Sequence, residues 1–363
     1  MSKVDMGCKD VSEMKKRPLL TVCIPAYNRA NVLPALLESI LMQDFDGFEV
    51  VINEDGSPER REIREIVERY SSSHPGRIRY FENDRNLGYD ANLRSLVERS
   101  IGQYCVFMGN DDLMCAGALV AVAGAIGRHE QIGVVVRSYA SFDGTPDNIN
   151  QTFRYFPDER FFVAGPDTIS TIYRRSVVIP GMVIHRDTAH RYATDKFDGT
   201  LLYQLYLVAN ILVEMNAVFL PQIIVLYRNG GVPDFGNAEA ERDKFVPADR
   251  TPASSLQFMQ GMLDIAHSVE LNRGVPIYRN IVSDIANYSY PILAVQASRP
   301  LRIFVSYWWS LAHMGFGKTP LFHLYFISLL LLGAKRSDAM IAVIKQWLGH
   351  TPNLGALFGG RKD

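Results

Sequence analysis

Short apolar runs alternate with amphipathic segments through the first third of the chain, and this alternation constrains the fold most strongly. The apolar runs are rich in β-branched residues and predict strands, while the segments between them have apolar residues at helical spacing. Strands that alternate with helices over short connections form a mainly parallel sheet covered on both faces. We therefore predict an α/β, Rossmann-like fold, with strands over 19–27, 48–53, 77–82 and 104–108 and helices over 31–42, 57–70 and 89–99.

Polar groups follow each of these predicted strands. Because ligands bind beyond the carboxyl ends of parallel strands, the groups should meet at one rim of the sheet. Two adjacent carboxylates at a sheet edge repel each other, and a divalent cation that holds a diphosphate is the simplest group to stabilise them. The alternative is that this acidic pair only caps the next helix. The polar groups are Tyr27-Asn28-Arg29, Glu54-Asp55, Asn83-Asp84 and Asn110-Asp111-Asp112.

The composition fits a folded protein with a large core, because 47% of the 363 residues are hydrophobic and 21% are charged. The net charge of -1 gives no basic excess, which argues against a nucleic-acid partner. The four cysteines form no CxxC pair, which favours reduced thiols in a cytosolic protein. They are Cys8, Cys23, Cys105 and Cys115.

The rest of the chain is divided by its pattern into three regions. Residues 1–17 are polar and predict a flexible lead-in, and the pattern is helical from Ala238 onward. The predicted domains are 1–17, 18–235 (with halves 18–115 and 116–235) and a helical 236–363. Within 116–237 we predict a helix to Arg128, a strand from Ile132, loops over 141–170, a strand pair or turn over 177–186, a helix over 198–213, two short strands around Pro221 and turns over 230–237.

Four motifs resemble, in their order and spacing, those of family 2 glycosyltransferases of GT-A fold. The similarity covers about residues 18–230, and bacterial O-antigen and capsule sugar transferases, including abequosyltransferase-like members, are the most similar group. The motifs are Thr21-VCIPAYNRA, Val50-VINEDGSPE, Asn86-LGYDANL and Gly102-QYCVFMGNDD.

This resemblance implies a metal-dependent site for a nucleoside-diphosphate sugar, with residues 18–115 as the nucleotide-binding half and residues 116–235 as the acceptor half. Asp111 and Asp112 would hold Mg²⁺ or Mn²⁺ against the diphosphate, although Gly109 stands where the family has the first aspartate of its Asp-x-Asp-Asp pattern. The residues expected around the nucleotide sugar are Pro25, Ala26, Tyr27, Arg29, Glu54, Asp55, Asn86, Gly88, Asn92, Asn110 and Arg228.

An inverting transfer also needs a base for the proton of the acceptor hydroxyl. By resemblance this base is Asp198, before a late helix, with Asp195 in reserve. Asp198 as a plain N-cap and Asp55 as a turn residue are the structural alternatives.

The expected activity is transfer of a sugar to a glycan or lipid-linked glycan in bacterial surface polysaccharide synthesis. A sugar nucleotidyltransferase and an inactive nucleotide-binding protein of the same fold are the alternatives. The apolar run 320–335 is shorter than the roughly 18–20 residues that span a bilayer. We favour an in-plane membrane helix over a core or a spanning helix, which places the protein at the cytoplasmic face of the inner membrane.

Overall fold

The computed structural model describes residues 17–231, 234–247 and 249–348. Cys8 and the predicted flexible N-terminus up to residue 16 lie outside the described residues. The described strands are β1 (Leu20–Ala26), β2 (Phe48–Glu54), β3 (Ile78–Glu82), β4 (Tyr104–Phe107), β5 (Leu113–Met114), β6 (Ile132–Phe142), β7 (Ile149–Phe153), β8 (Arg160–Phe162), β9 (Val183–His185) and β10 (Asn216–Arg228). The helices are α1 (Leu33–Leu41), α2 (Arg60–Ser73), α3 (Tyr89–Arg99), α4 (Ala118–Arg128), α5 (Pro166–Ile172), α6 (Arg186–Arg191), α7 (Tyr203–Glu214), α8 (Pro252–Arg273), α9 (Tyr278–Asn287), α10 (Tyr290–Gln296), α11 (Leu301–His313) and α12 (Pro320–Leu348).

The first half of the sheet is parallel, as the alternation predicts. β1 pairs with β2 and β4, and β2 pairs with β3, all in parallel register. Both faces are buried, because alternate residues of β1 belong to two separate apolar clusters: Val22 and Ile24 pack in one and Cys23 packs in the other. The prediction of an α/β sheet with helices on both sides is confirmed.

The second half of the sheet is mixed. The short strand β9 lies between β4 and β6 and is antiparallel to both. β10 runs parallel to β6, and its pairing shifts register between Leu220 and Ile223. The prediction of two short strands around Pro221 is therefore wrong, because an irregularity lets one strand continue past a proline that has no backbone N–H to donate.

Residues 141–170 are more ordered than the sequence predicts. The Gly, Pro, Asp and Asn content predicts loops, but β7 and β8 add to the sheet beside β6 and β10, and α5 follows them. The helix predicted from Asp198 begins only at Tyr203, and the helix after the turns near residue 237 begins at Pro252.

Helices α8 to α12 pack on the sheet domain and on each other. α11 and α12 are joined by stacked rings, since Trp308 lies 4.5 Å from Phe326 between ring centroids. The inner side of α12 belongs to the core through Phe322, Phe326 and Leu329, while Leu324 and Leu331 are exposed. Over the described part of the chain, no helix is both long enough and apolar enough to cross a membrane.

Candidate active site

A cleft of about 300 Å³ lies at the carboxyl ends of β1, β2 and β4. Such a position suits a ligand in a parallel sheet, and the volume is at the lower end of the range for small-molecule sites. Eleven of the residues predicted around a nucleotide sugar or metal line this cleft: Pro25, Tyr27, Arg29, Asp55, Asn86, Gly88, Asn92, Asn110, Asp111, Asp112 and Arg228.

The acidic pair lies between the end of β4 and the end of β10. Asp112 is buried, with 1% of its surface exposed. Its Oδ1 accepts a hydrogen bond from the backbone N–H of Arg228 at 3.0 Å, whereas its Oδ2 has no hydrogen-bond partner among the described residues. A buried carboxylate oxygen without a donor is costly, which indicates that a ligand completes its contacts.

Asp111 is the more accessible member of the pair. Its Oδ2 accepts from Arg29 Nη1 at 2.6 Å. Burial raises the pKa of Asp111, and the Arg29 guanidinium opposes this shift. The pKa of Asp112 is raised well above the usual range by burial and then by the neighbouring Asp111 carboxylate. Among the described residues, Asp111 has an ion pair with an arginine side chain, whereas Asp112 has a hydrogen bond from the Arg228 backbone and no ion pair.

The donor set fits Mg²⁺ or Mn²⁺ held jointly by protein and substrate. No group of three or more His, Cys, Asp or Glu side chains in the described ranges is arranged to hold a metal ion. Mg²⁺ typically takes one or two carboxylates and completes its coordination with water and substrate phosphates. Asp112 Oδ2, buried and lacking a donor, and Asp111 beside it supply two such carboxylates.

Steric crowding explains why position 109 is a glycine and not the aspartate of the family pattern. A Cβ at Gly109 would lie 2.5 Å from Asp112 Oδ2 and 3.3 Å from Asp111 Oδ1. Any side chain there must displace the acidic pair. The acidic pair as placed here therefore requires a glycine at position 109.

Two side chains fix the loops on either side of the pair. Asn110 Nδ2 donates to the carbonyl oxygens of Tyr27 and Asn28, and both Asn28 and Arg29 have positive φ angles. Arg228 Nε donates to the Asp111 carbonyl oxygen at 2.9 Å. Arg228 thus braces the acidic pair from β10, and Asn110 holds the turn that carries Arg29.

Asp55 organises the far end of the cleft. Its carboxylate accepts from Asn83 Nδ2 at 2.7 Å and from the backbone N–H groups of Leu87 and Gly88 at 3.0 and 2.9 Å. Burial raises the pKa of Asp55, and these three hydrogen bonds lower it. Its role in shaping the 86–88 turn is visible in the geometry, while a direct contact with a nucleotide stays a prediction.

Four predicted residues do not line the cleft: Ala26, Glu54, Asp195 and Asp198. The carboxylate of Glu54 is fully buried and bound by the N–H groups of Gly56 and Ser57 and by Arg60 Nε at 2.6 Å. Glu54 therefore closes the turn after β2 and has no oxygen directed to a ligand.

Asp198 is held away from the cleft by Arg94. Its two oxygens accept from Arg94 Nη1 and Nη2 at 2.5 and 2.7 Å. The acid that contacts the start of α7 is instead Asp90, which accepts from the N–H groups of Thr200, Leu201 and Tyr203. The structure does not bring Asp198 to the acidic pair, and its role as a base stays a prediction.

The sequence reasoning missed two walls of the cleft. One is formed by residues 178–180, and the other by Asp234, Phe235, Glu241 and Arg250, of which the last two lie beyond the predicted domain boundary at residue 235. Glu241 accepts from the N–H groups of Tyr89 and Gly236, both at 2.8 Å, which ties the second wall to the start of α3. No motif marks these residues, because their roles depend on contacts distant in sequence.

Residues 21–180 match the model of the family described as Glycosyl transferase family 2. The GalNAc(5)-diNAcBac-PP-undecaprenol beta-1,3-glucosyltransferase of Campylobacter jejuni is 29% identical over 103 residues, which are 28% of this chain and 32% of that protein. Abequosyltransferase RfbV of Salmonella typhimurium is 34% identical over 103 residues, 28% of this chain and 30% of that protein. The matched segments thus span about a third of the length of these relatives.

Solved structures share the fold over most of the chain. S. aureus TarS 1–349 in complex with UDP-GlcNAc has a TM-score of 0.58 at 16% identity, covering 89% of this chain and 91% of that one. GalNAc-T7 with UDP, GalNAc and Mn²⁺ has a TM-score of 0.51 at 12% identity, covering 79% and 59%. Residues 21–180 therefore match a glycosyl transferase family 2 domain, and the chain shares the GT-A fold of these neighbours.

Proposed function

We propose that the protein transfers a sugar from a nucleoside-diphosphate sugar to a glycan acceptor, with the diphosphate bound at Asp111 and Asp112. The observation that carries this proposal is the buried Asp112 Oδ2, which has no hydrogen-bond partner among the described residues and lies in a cleft at the strand ends. The family match and the sugar-nucleotide complex of the structural neighbour TarS support the same class of ligand.

Asp111 and Asp112 would hold a divalent cation, Mg²⁺ or Mn²⁺. When bound, such a cation acts as a Lewis acid that offsets the charge of the leaving nucleoside diphosphate. Arg29 occupies Asp111 Oδ2 at 2.6 Å, so binding of a cation to that oxygen requires the guanidinium to move. A guanidinium released beside a diphosphate makes strong hydrogen bonds to its oxygens.

The proposed transfer is inverting, and the acceptor hydroxyl must give its proton to a carboxylate. Asp198 is the candidate from the sequence, and it can serve only after Arg94 releases it. Asp234 is the second candidate, since it lines the cleft with a third of its side chain exposed. Turnover of Asp198→Asn and Asp234→Asn, each compared with donor binding, decides between them: the base variant binds donor normally but does not turn over.

We propose a lipid-linked acceptor at the cytoplasmic face of the inner membrane. The relative from Campylobacter is named for an undecaprenol-linked substrate. On this chain, α11 exposes Leu301, Val305 and Trp309. The exposed apolar residues of α12 are Leu324, Ile327, Leu330, Leu331 and Leu332. Exposed cations lie in α11 (Arg302), between the two helices (Lys318) and in α12 (Arg336). An apolar face with a basic rim suits the surface of an anionic bilayer.

Vesicle flotation tests this membrane contact. With phosphatidylglycerol vesicles, the wild type should float and a Trp309→Ser, Leu331→Ser double variant should stay at the bottom of the gradient. Val163→Ser is the matched control, because Val163 is also an exposed apolar residue at 68% but lies beyond β8. Equal flotation of both variants, or none for the wild type, would contradict the proposed location.

Turnover with a panel of nucleotide sugars tests the activity itself. Release of nucleoside diphosphate should require Mg²⁺ or Mn²⁺ and should disappear in Asp111→Asn. Formation of a nucleotide sugar from a sugar phosphate and a nucleoside triphosphate would instead support a sugar nucleotidyltransferase. Binding without any turnover, with the full range of acceptors, would support an inactive binding protein.

A further inference from the structure

Residues 177–180 form an apolar wall beside the acidic pair. The segment precedes β9, and the N–H of Gly181 donates to the carbonyl oxygen of Phe107 at the end of β4, at 2.7 Å. Val178, Ile179 and Pro180 line the cleft at this point. The wall therefore lies one strand beyond the acidic pair, on the side opposite to Asp55.

The backbone of the wall is held by two buried side chains from other elements. Arg137 of β6 donates through Nε to the carbonyl oxygen of Pro180 at 2.6 Å and through Nη2 to that of Val178 at 2.8 Å. Gln204 of α7 donates through Nε2 to the carbonyl oxygen of Val177 at 2.8 Å. Three of the four carbonyl groups of the wall thus accept hydrogen bonds from buried side chains of β6 and α7.

The burial of the Arg137 guanidinium costs more free energy than a purely structural role requires. It is fully buried, its Nη1 has no hydrogen-bond partner in the described part of the chain, and burial lowers its pKa. No carboxylate forms an ion pair with it in the described ranges, although its charge acts on Asp112 from a distance. A buried charge is costly unless hydrogen bonds compensate it, and the hydrogen bonds that Arg137 makes go to carbonyl oxygens of residues that line the cleft.

The order of groups along the rim indicates which part of a bound donor lies against the wall. Asp55 follows β2, Arg29 follows β1, Asp111 and Asp112 follow β4, and the wall lies beside β9. A nucleoside-diphosphate sugar laid along this rim, with its diphosphate at the acidic pair and its nucleoside toward β2, has its sugar at the wall. The C–H face of a pyranose is apolar and packs on side chains such as Val178 and Ile179.

We propose that Arg137, together with Gln204, is a positioning residue that fixes residues 177–180 as the wall against which the transferred sugar packs. This inference rests on the proposed function, because it takes the diphosphate to lie at Asp111 and Asp112. It assigns the specificity for the sugar to a wall whose shape is set from β6 and α7. Neither anchoring side chain needs to touch the donor.

Calorimetry with matched ligand pairs tests the proposal. UDP and UDP-N-acetylglucosamine, and GDP and GDP-mannose, are titrated in the presence of Mn²⁺, and the pair that binds the wild type is used for every variant. Arg137→Met should weaken binding of the sugar nucleotide about tenfold and leave that of the nucleoside diphosphate within about twofold. Arg137→Lys should be intermediate, because a single ammonium group cannot replace the two-pronged contact with both carbonyl oxygens.

Gln204→Leu is the second variant, for the case in which Arg137→Met does not fold, and it should show the same selective loss. Arg175→Met is the control, because Arg175 is also largely buried with an unpartnered Nε but bonds to Thr171 in its own turn. Arg175→Met should lower the melting temperature but should not change the affinity for the sugar nucleotide relative to that for the nucleoside diphosphate. Equal loss of both ligands, or no loss of either, in Arg137→Met and Gln204→Leu would overturn the inference, whereas failure of the wild type to bind any nucleotide would overturn the proposed function.

Discussion

Removal of the buried charge of Asp112 should have opposite effects on the stability and on the activity of the protein. In the ligand-free protein, no group of the described residues donates to its buried Oδ2, and the charge of the neighbouring Asp111 carboxylate acts on it. Asp112→Asn keeps the size of the side chain and an oxygen for the N–H of Arg228, and it removes the buried charge. We therefore expect the variant to unfold at a higher temperature than the wild type.

The size of this effect follows from the burial of one charged oxygen. Burial and the Asp111 carboxylate penalise the charged form of Asp112. Because an unsatisfied buried group costs about 1–3 kcal/mol and a charged one more, exchanging the carboxylate for a neutral amide should recover roughly 1–3 kcal/mol. At roughly 2 °C per kcal/mol for a chain of this size, the melting temperature of Asp112→Asn should rise by about 2–6 °C. The same variant should lose the additional stabilisation that Mn²⁺ with a nucleoside diphosphate gives the wild type by mass action.

Differential scanning fluorimetry with and without Mn²⁺ and UDP or GDP measures both effects. Asp158→Asn is the control, because Asp158 is an exposed aspartate outside the cleft, and it should change neither. A variant at position 112 that is less stable than the wild type without ligand, or that keeps the full response to Mn²⁺, would refute the reasoning.

Four further substitutions have distinct expected outcomes. Burial raises the pKa of Asp90 to about 6, so the folded state binds this proton more tightly than the unfolded state does. The contribution of Asp90 to the free energy of unfolding should therefore fall by about 3 kcal/mol as the pH rises from about 4 to about 6. Urea unfolding across this range should show a smaller decrease in stability for Asp90→Asn than for the wild type. Gly109→Asp restores the aspartate of the family pattern, but its Cβ would lie 2.5 Å from an oxygen of the acidic pair, so melting temperature and turnover should both fall rather than rise. Gly199→Ala places a Cβ 1.9 Å from the Ala240 carbonyl oxygen at a φ of +79° and should cost about 2–4 kcal/mol in urea unfolding, whereas Gly274→Ala, with a φ of +65° and open space around it, should cost only about 1–2 kcal/mol.

The parallel half of the sheet and the acidic pair follow from local pattern. Buried strands such as β1 and β2 have apolar residues at most positions, and the polar residues after them reach the cleft because parallel strands share one rim. Roles that depend on distant partners do not follow from pattern. Glu54 ends β2 just before Asp55, yet Arg60 and two N–H groups occupy its oxygens.

The acceptor half shows the same limit. Asp198 precedes a helix as the resemblance requires, but Arg94, 104 residues earlier, holds both of its oxygens. Arg137 lies in an apolar strand and carries no motif, and its contact with the 177–180 wall becomes visible only when β6 and β9 are paired. Glu241 was assigned to a separate helical region, although it bonds to the start of α3.

The most direct test of the central claim is the anomalous diffraction of Mn²⁺ in crystals soaked with MnCl₂ and the nucleoside diphosphate that binds. The account predicts a peak at about 2.1 Å from oxygens of Asp111 and Asp112, bridged to the diphosphate, with Arg29 moved off Asp111. Nucleotide bound in the cleft without a metal peak at these carboxylates, and with the Arg29–Asp111 ion pair intact, would contradict it.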